Sequence, residues 1–270
     1  MKKPEKNIHA LIAVPAYNEE QNIPKLLTLL EPWKKDVIVI DDGSDDLTVS
    51  LARDRNFFCF TRESNLGLSA FYSTAKDHAI KHNYTHIVAI DGDGQHDPQY
   101  IPEFISALQH YDLVSGNRFH DISNIPASKI ASNMFAILLF KKFLNIALPD
   151  VACGFRAMKL AVIADDTKTS QFGIIYEMLA QHALSGKQTG FVRIPATYHS
   201  NDPLNTKISE ISGLLATISK YCKAPELNSI NESIKSKTDF RISMFGYGFE
   251  AFYQFPDAYL FSLLYSQKVK

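Results

Sequence analysis

Ile87-Val88-Ala89-Ile90-Asp91-Gly92-Asp93-Gly94-Gln95-His96 joins a hydrophobic run to an acidic, glycine-rich turn. Its first four residues form a short apolar run of the kind shown by a strand buried on both faces. The run stops at two aspartates separated by glycine. Alternation along a strand puts Asp91 and Asp93 on one side of its carboxyl end. Gly92 and Gly94 let the chain turn and let a ligand approach the backbone. With no basic residue beside them in sequence, the two carboxylates repel unless a cation intervenes. Oxygen ligands of this kind suit Mg²⁺ or Mn²⁺ shared with substrate phosphates. A solvated acidic turn is the competing reading of so short a motif.

Working outward, the same pattern recurs. Ala10–Val14 reads as a buried strand stopped by Pro15-Ala16-Tyr17. Asn18 then reads as a helix N-cap, with Gln21 completing a capping box and Ile23, Leu26, Leu27 and Leu30 at helical spacing. Val37–Ile40 is a second apolar strand ending in Asp41-Asp42-Gly43-Ser44-Asp45, followed by a helix to about Arg55. Phe57–Phe60 is a third strand, Ser69–His82 a helix, and Asp97-Pro98 opens a helix to about Gln109. Leu113–Gly116 is a further strand. Strands alternating with helices predict an α/β fold with a mainly parallel sheet. Asp41, Asp42, Asp91 and Asp93 all stand where strands end, the place where open α/β sheets bind ligands. Neither Gly-x-Gly-x-x-Gly after the first strand nor a Gly-Lys-Ser/Thr phosphate loop occurs, which disfavours dinucleotide enzymes and P-loop NTPases.

Composition sets further bounds. The 270 residues are 46% hydrophobic and 21% charged, ordinary for a core-forming protein. A net charge of -1 argues against a nucleic-acid-binding surface. Cys59, Cys153 and Cys222 are odd in number and far apart, which fits a reducing, cytoplasmic setting better than a disulfide framework. The longest apolar run, Met134–Phe140, is far short of the roughly 20 residues a membrane span needs.

Six motifs in order resemble one family: VPAYNEE (14–20), VIDDGSDD (39–46), NLGLSAF (65–71), DGDGQHDP (91–98), SGNR (115–118) and CGFRAM (153–158). The chain resembles the family 2 inverting glycosyltransferases of GT-A fold, most of all the polyprenyl- and dolichyl-phosphate hexosyltransferases. The likeness covers roughly the first 220 residues. It implies a Rossmann-like GT-A domain, a UDP- or GDP-hexose donor and a polyprenyl phosphate acceptor. By that resemblance Pro15, Ala16, Tyr17 and Glu19 line the nucleotide, with Asp42 on base or ribose and Asp41 left to cap its turn. Asp91, Asp93 and Gln95 are implied to meet metal and diphosphate, Asp93 as the direct ligand. His96 reads as a surface-loop histidine or as an added imidazole ligand.

A phosphate monoester acceptor, mostly dianionic near neutral pH, needs cations to hold it more than a base to activate it. Arg118, Lys129, Ser132 and Arg156 are the donors implied for it, and Arg can hold phosphate oxygens bidentately. With Asp93, the residues expected to carry transfer are Arg156 and Glu177; the latter is the glutamate of IIYEM, with a buried ion pair as its alternative role. A hydroxyl acceptor would instead require Glu177 or another carboxylate as base. A catalytically silent nucleotide-sugar binder is a third reading, weakened by the presence of every acidic ligand. Arg193–Lys207 resembles the loop that closes over the diphosphate, with Lys207 as its basic residue and His199 of undefined role.

Lys207–Lys223 carries Ile208, Ile211, Leu214, Leu215, Ile218 and Tyr221 at helical spacing. That describes either a helix lying on a membrane surface or one packed on the core, the commoner case. The expected division is a glycosyltransferase domain over 1–225 and an appendage over 226–270, a polar stretch followed by an aromatic-rich tail.

Overall fold

The computed structural model describes residues 7–164, 173–198, 206–225 and 227. The expected appendage over 226–270 lies, but for Leu227, outside the described residues, as does His199. In chain order the elements are β1 (Ala10–Ala16), α1 (Ile23–Leu30), β2 (Val37–Asp41), α2 (Thr48–Asp54), β3 (Phe58–Thr61), α3 (Gly67–Lys81) and β4 (His86–Ala89). They continue as α4 (Ile101–Ala107), β5 (Leu113–Asn117), α5 (Ala127–Leu144), β6 (Arg156–Lys159), α6 (Gly173–Leu184), β7 (Gly190–Arg193) and α7 (Thr206–Tyr221).

The strands form one seven-stranded sheet in the order β3-β2-β1-β4-β6-β5-β7. All pairings are parallel except those of β6, which runs antiparallel to β4 and β5. Successive residues of β1 face opposite sides, as strand geometry requires. Leu11 and Ala13 join a core with α3, α5, α6 and α7, while Ile12 and Val14 join one with α1 and α4. The sheet is thus buried on both faces, which explains why β2 is buried at all five positions and reads as an unbroken apolar run.

Register decides where the site forms. Ala16 pairs with Asp41 and Ala13 with Ala89, so β1, β2 and β4 finish together at one edge. Gly92 permits this convergence, because a Cβ there would lie 2.5 Å from the carbonyl oxygen of Pro15.

One local expectation is corrected. Asn18 does not cap α1; it sits at φ 56, takes Ser44 Oγ on its N–H at 2.9 Å and accepts the Asp45 N–H at 3.1 Å. The helix starts at Ile23, where Pro24 suits its first turn. The side chain of Asn18 therefore stitches the β1 turn to the β2 turn. CGFRAM, a motif by resemblance, also supplies in its RAM portion the one antiparallel strand among the described residues, within a sheet that is mainly parallel as expected.

Candidate active site

The strand ends open onto a cavity of about 590 Å³. One wall is acidic. Asp41 is buried and takes the N–H groups of Gly43 and Ser44, so it shapes the turn and leaves the cavity to Asp42. Asp42 accepts from Arg62 Nη1 at 2.7 Å and from the N–H groups of Leu66 and Gly67 at 3.0 and 2.7 Å. Those contacts fix its carboxylate at the cavity rim. Pro15, Ala16, Tyr17 and Glu19 line the same side, and Tyr17 is 48% exposed, an aromatic face open to a ligand. Glu19 is set by its own N–H on Thr48 Oγ1 and by Asn22 Nδ2 on its carboxylate at 2.8 Å.

Asp91, Asp93 and Gln95 complete this wall. The Gln95 N–H donates to Asp93 Oδ1 at 2.9 Å. Asp91, 36% exposed, lies 3.3 Å from His96 Nδ1. Burial opposes the charge on Asp91, yet His96, Arg118 and Arg156 together hold its carboxyl below the usual range. His96 is neither a surface histidine nor open to the cavity as a ligand: it is buried, between Asp91 and Cys153. Burial works against the charged imidazole, but Cys153 and Asp91 push its pKa up to about 10.

Two carboxylates and a side-chain amide are hard oxygen donors that fit Mg²⁺ or Mn²⁺ completed by phosphate oxygens. No group of three His, Cys, Asp or Glu side chains capable of holding an ion occurs among the described residues. The donor set therefore fits an ion shared with a ligand rather than one caged by protein.

The rest of the lining is cationic, carried by Arg118 and Lys129. Arg118 lies in the turn after β5, and its Nε and Nη2 donate to Asp150 at 2.8 and 3.0 Å, a bidentate pair. Burial opposes its charge, and Asp150 more than restores it. Lys129 and Ser132 lie on α5 one turn apart and face the same cavity. Lys129 Nζ stands 5.6 Å from the ring centre of Tyr198, and Ser132 Oγ donates to the Lys129 carbonyl at 3.1 Å.

Arg156 and Glu177 do not reach the cavity. Arg156 is completely buried and donates to the carbonyls of Cys153 (2.8 Å), Ile175 (2.5 Å) and Val151 (3.0 Å). Three of its five N–H groups fasten the loop before β6 and the start of α6, and burial keeps it from the cavity, so it frames the site without lining it. Glu177 is 2% exposed on α6 and pairs with Lys220 of α7, with Gln181 Nε2 at 3.0 Å on the same oxygen. The ion-pair alternative holds, with lysine as the partner. Lys207 lies in the first turn of α7, and its side chain is outside the described residues.

Sequence reasoning missed Asn133 and Asp150, and gave no separate role to Gly154 or Tyr198, which stand inside CGFRAM and the Arg193–Lys207 stretch. Asn133 is buried at the cavity, its Oδ1 accepts the Val151 N–H at 3.4 Å, and its Nδ2 has no partner. One turn of spacing from Lys129 was its only available signal.

The family profile described as "Glycosyl transferase family 2" matches residues 11–166. MJ0544 of Methanocaldococcus jannaschii is 31% identical over 69% of this chain and 87% of that one. The undecaprenyl-phosphate mannosyltransferase of Micrococcus luteus is 27% identical over 75% of this chain and 88% of its own. Among solved structures, glucosyl-3-phosphoglycerate synthase from Mycobacterium tuberculosis, in complex with Mn²⁺, UDP and glucosyl-3-phosphoglycerate, superposes with a TM-score of 0.67. It covers 81% of each chain at 18% identity, a likeness of fold. With acidic strand ends, a GT-A sheet and a matching profile over more than half its length, the chain belongs to glycosyl transferase family 2.

Proposed function

We infer that this glycosyltransferase moves a hexose from a nucleoside-diphosphate sugar to a polyprenyl phosphate, with Mg²⁺ or Mn²⁺ at Asp93, Asp91 and Gln95. The observation that carries the reading is one cavity lined by the strand-end carboxylates and by Arg118 and Lys129, with no spare base beside those cations among the described residues. Asp150 is taken by Arg118, and Glu177 is turned away to Lys220. A hydroxyl nucleophile would need a carboxylate to receive its proton, whereas a phosphate monoester arrives already ionised. The name of the Micrococcus luteus relative supports the same acceptor class.

On this reading Tyr17, Glu19 and Asp42 hold the nucleoside, the last two accepting from base or ribose donors. Arg118, Lys129 and Ser132 hold the acceptor phosphate. One of its oxygens forms the bond to the anomeric carbon from the side opposite the leaving group. The bond from that carbon to the diphosphate oxygen breaks, and the electron pair leaves with the nucleoside diphosphate. No proton changes hands. When bound, the divalent ion supplies neutralisation of the charge that grows on the diphosphate. On this reading a nucleotide-sugar donor supports a cytoplasmic location, and a lipid acceptor supports peripheral contact with the membrane. No described helix is long and apolar enough to cross a membrane. The core contacts of Leu214, Leu215 and Ile218 on α7 support the packed rather than the surface-lying reading of that helix.

The test is product identity. UDP- and GDP-hexoses incubated with undecaprenyl phosphate and Mn²⁺ should yield a lipid-linked hexosyl phosphate of inverted anomeric configuration. A hexose found on a hydroxyl acceptor instead, or no lipid product from any donor, overturns the reading.

A further inference from the structure

His96 stands buried behind Asp91 of the acidic wall and has no part in the transfer as described. Its buried Nδ1 lies 3.3 Å from Asp91 Oδ2 and makes no well-aligned hydrogen bond. Its Nε2 lies 3.7 Å from Cys153 Sγ, and its ring packs tilted against Phe155 with centroids 5.5 Å apart. Gly154 stands against the same carboxylate: a Cβ there would fall 2.1 Å from Asp91 Oδ2 and 2.6 Å from Oδ1. Three consecutive residues therefore bear on one pair, Cys153 and Phe155 on the imidazole and Gly154 on the carboxylate. Arg156 fastens this triplet through the Cys153 carbonyl. Phe155 is itself stacked on Phe104 at 4.1 Å, so the brace rests on the core of the sheet.

We propose that His96 is a positioning residue for Asp91, which with Gly154 holds that carboxylate in one orientation so that nucleoside diphosphate and cation meet a preformed acidic wall. The inference rests on the proposed donor reading of the cavity and goes beyond it. Asp91 and Asp93 are two residues apart and repel, and a partly exposed carboxylate at a strand end would otherwise swing away from its neighbour. The 3.3 Å contact is long, as such contacts are before a ligand tightens them. Partners of this kind, one shell behind a metal site, set ligand orientation and govern metal affinity.

Two amides separate this role from simple packing. His96→Asn puts an N–H donor near the position of Nδ1, facing Asp91. His96→Gln puts one near Nε2, facing Cys153. Both lose the ring, so their cost in packing is shared. Mn²⁺ binding to the full chain is followed by electron paramagnetic resonance in the presence of UDP or of GDP, without acceptor. His96→Gln should bind about tenfold more weakly than His96→Asn, which stays near wild type. Equal affinities for the two variants overturn the inference and leave the donor reading standing. Failure of the wild-type chain to bind Mn²⁺ with either nucleotide overturns both. Wild-type imidazole ¹⁵N spectra give a second measurement that needs no variant. Adding Mg²⁺ with the bound nucleotide should move the His96 ring signals as Nδ1 tightens on Asp91, and unmoved signals contradict the proposal.

Discussion

The acidic and cationic walls of the cavity rise from the same sheet by different means. On the acidic side, β1, β2 and β4 end in register, and each functional carboxylate stands at or just after a strand end, held by neighbouring backbone. Asp42 takes two N–H groups from the turn before α3, and Asp93 takes the N–H of Gln95. On the cationic side the groups come from the turn after β5, from α5 and from Tyr198, and they are held by side chains. Arg118 leans on Asp150, and Lys129 stands over Tyr198. The difference teaches that backbone turns place short carboxylates, whereas long cationic side chains need partners from elsewhere in the chain.

If the acidic wall carries the donor, Asp93→Ala should have the largest effect. We expect kcat/KM to fall by roughly 10²- to 10³-fold, the usual loss when a group facing transition-state charge is removed. Steady-state release of nucleoside diphosphate measures it. The next effect is on stability: Arg156→Met leaves two buried carbonyls and one half-buried carbonyl without this donor and should cost about 3 kcal/mol in urea unfolding. A Met variant as stable as wild type would return Arg156 to the list of ligand-binding candidates. On the cationic wall, Lys129→Ala should raise the acceptor KM by roughly tenfold, about 1.4 kcal/mol, while leaving the donor KM within twofold. The smallest effect lies outside both walls. The hydrogen bond from Lys159, at 2.6 Å, and the charge of Lys187 hold the Asp112 carboxyl below its usual range. A carboxyl depressed in the folded state adds stability above its unfolded pKa of about 3.9 and loses it as pH falls through the folded value. Asp112→Asn should therefore cost less than about 1 kcal/mol at pH 7 and nothing at pH 2.

This contrast also explains what could be read from the sequence. Asp91 and Asp93 announce themselves because strand and turn are local, although β4 ends at Ala89 and the turn after it, rather than strand alternation, brings both carboxylates to the cavity. Their resemblance to a family added roles to residues that spacing had located. Arg118, Lys129 and Ser132 were named by resemblance, and the cavity brings them together. Asp150, which fixes Arg118, stands 32 residues away and carries no local signature. Arg156 misled for a physical reason: the resemblance places CGFRAM among the acceptor-binding segments, but burial turns this arginine to three backbone carbonyls instead. Glu177 looked catalytic because nothing in IIYEM reveals that Lys220, 43 residues on, will meet it across α6 and α7. His96 reads as surface from its polar neighbours, and only the return of Cys153-Gly154-Phe155 beside β4 buries it.

The division of the cavity is tested most directly by measuring the two ligands separately. Calorimetry would follow nucleoside diphosphate with Mn²⁺, and a short-chain polyprenyl phosphate, on the wild-type chain, Asp93→Ala and Lys129→Ala. The account predicts that Asp93→Ala abolishes metal-dependent nucleotide binding and leaves lipid phosphate affinity unchanged. Lys129→Ala should do the reverse. Loss of both ligands in either variant would contradict the two-wall assignment.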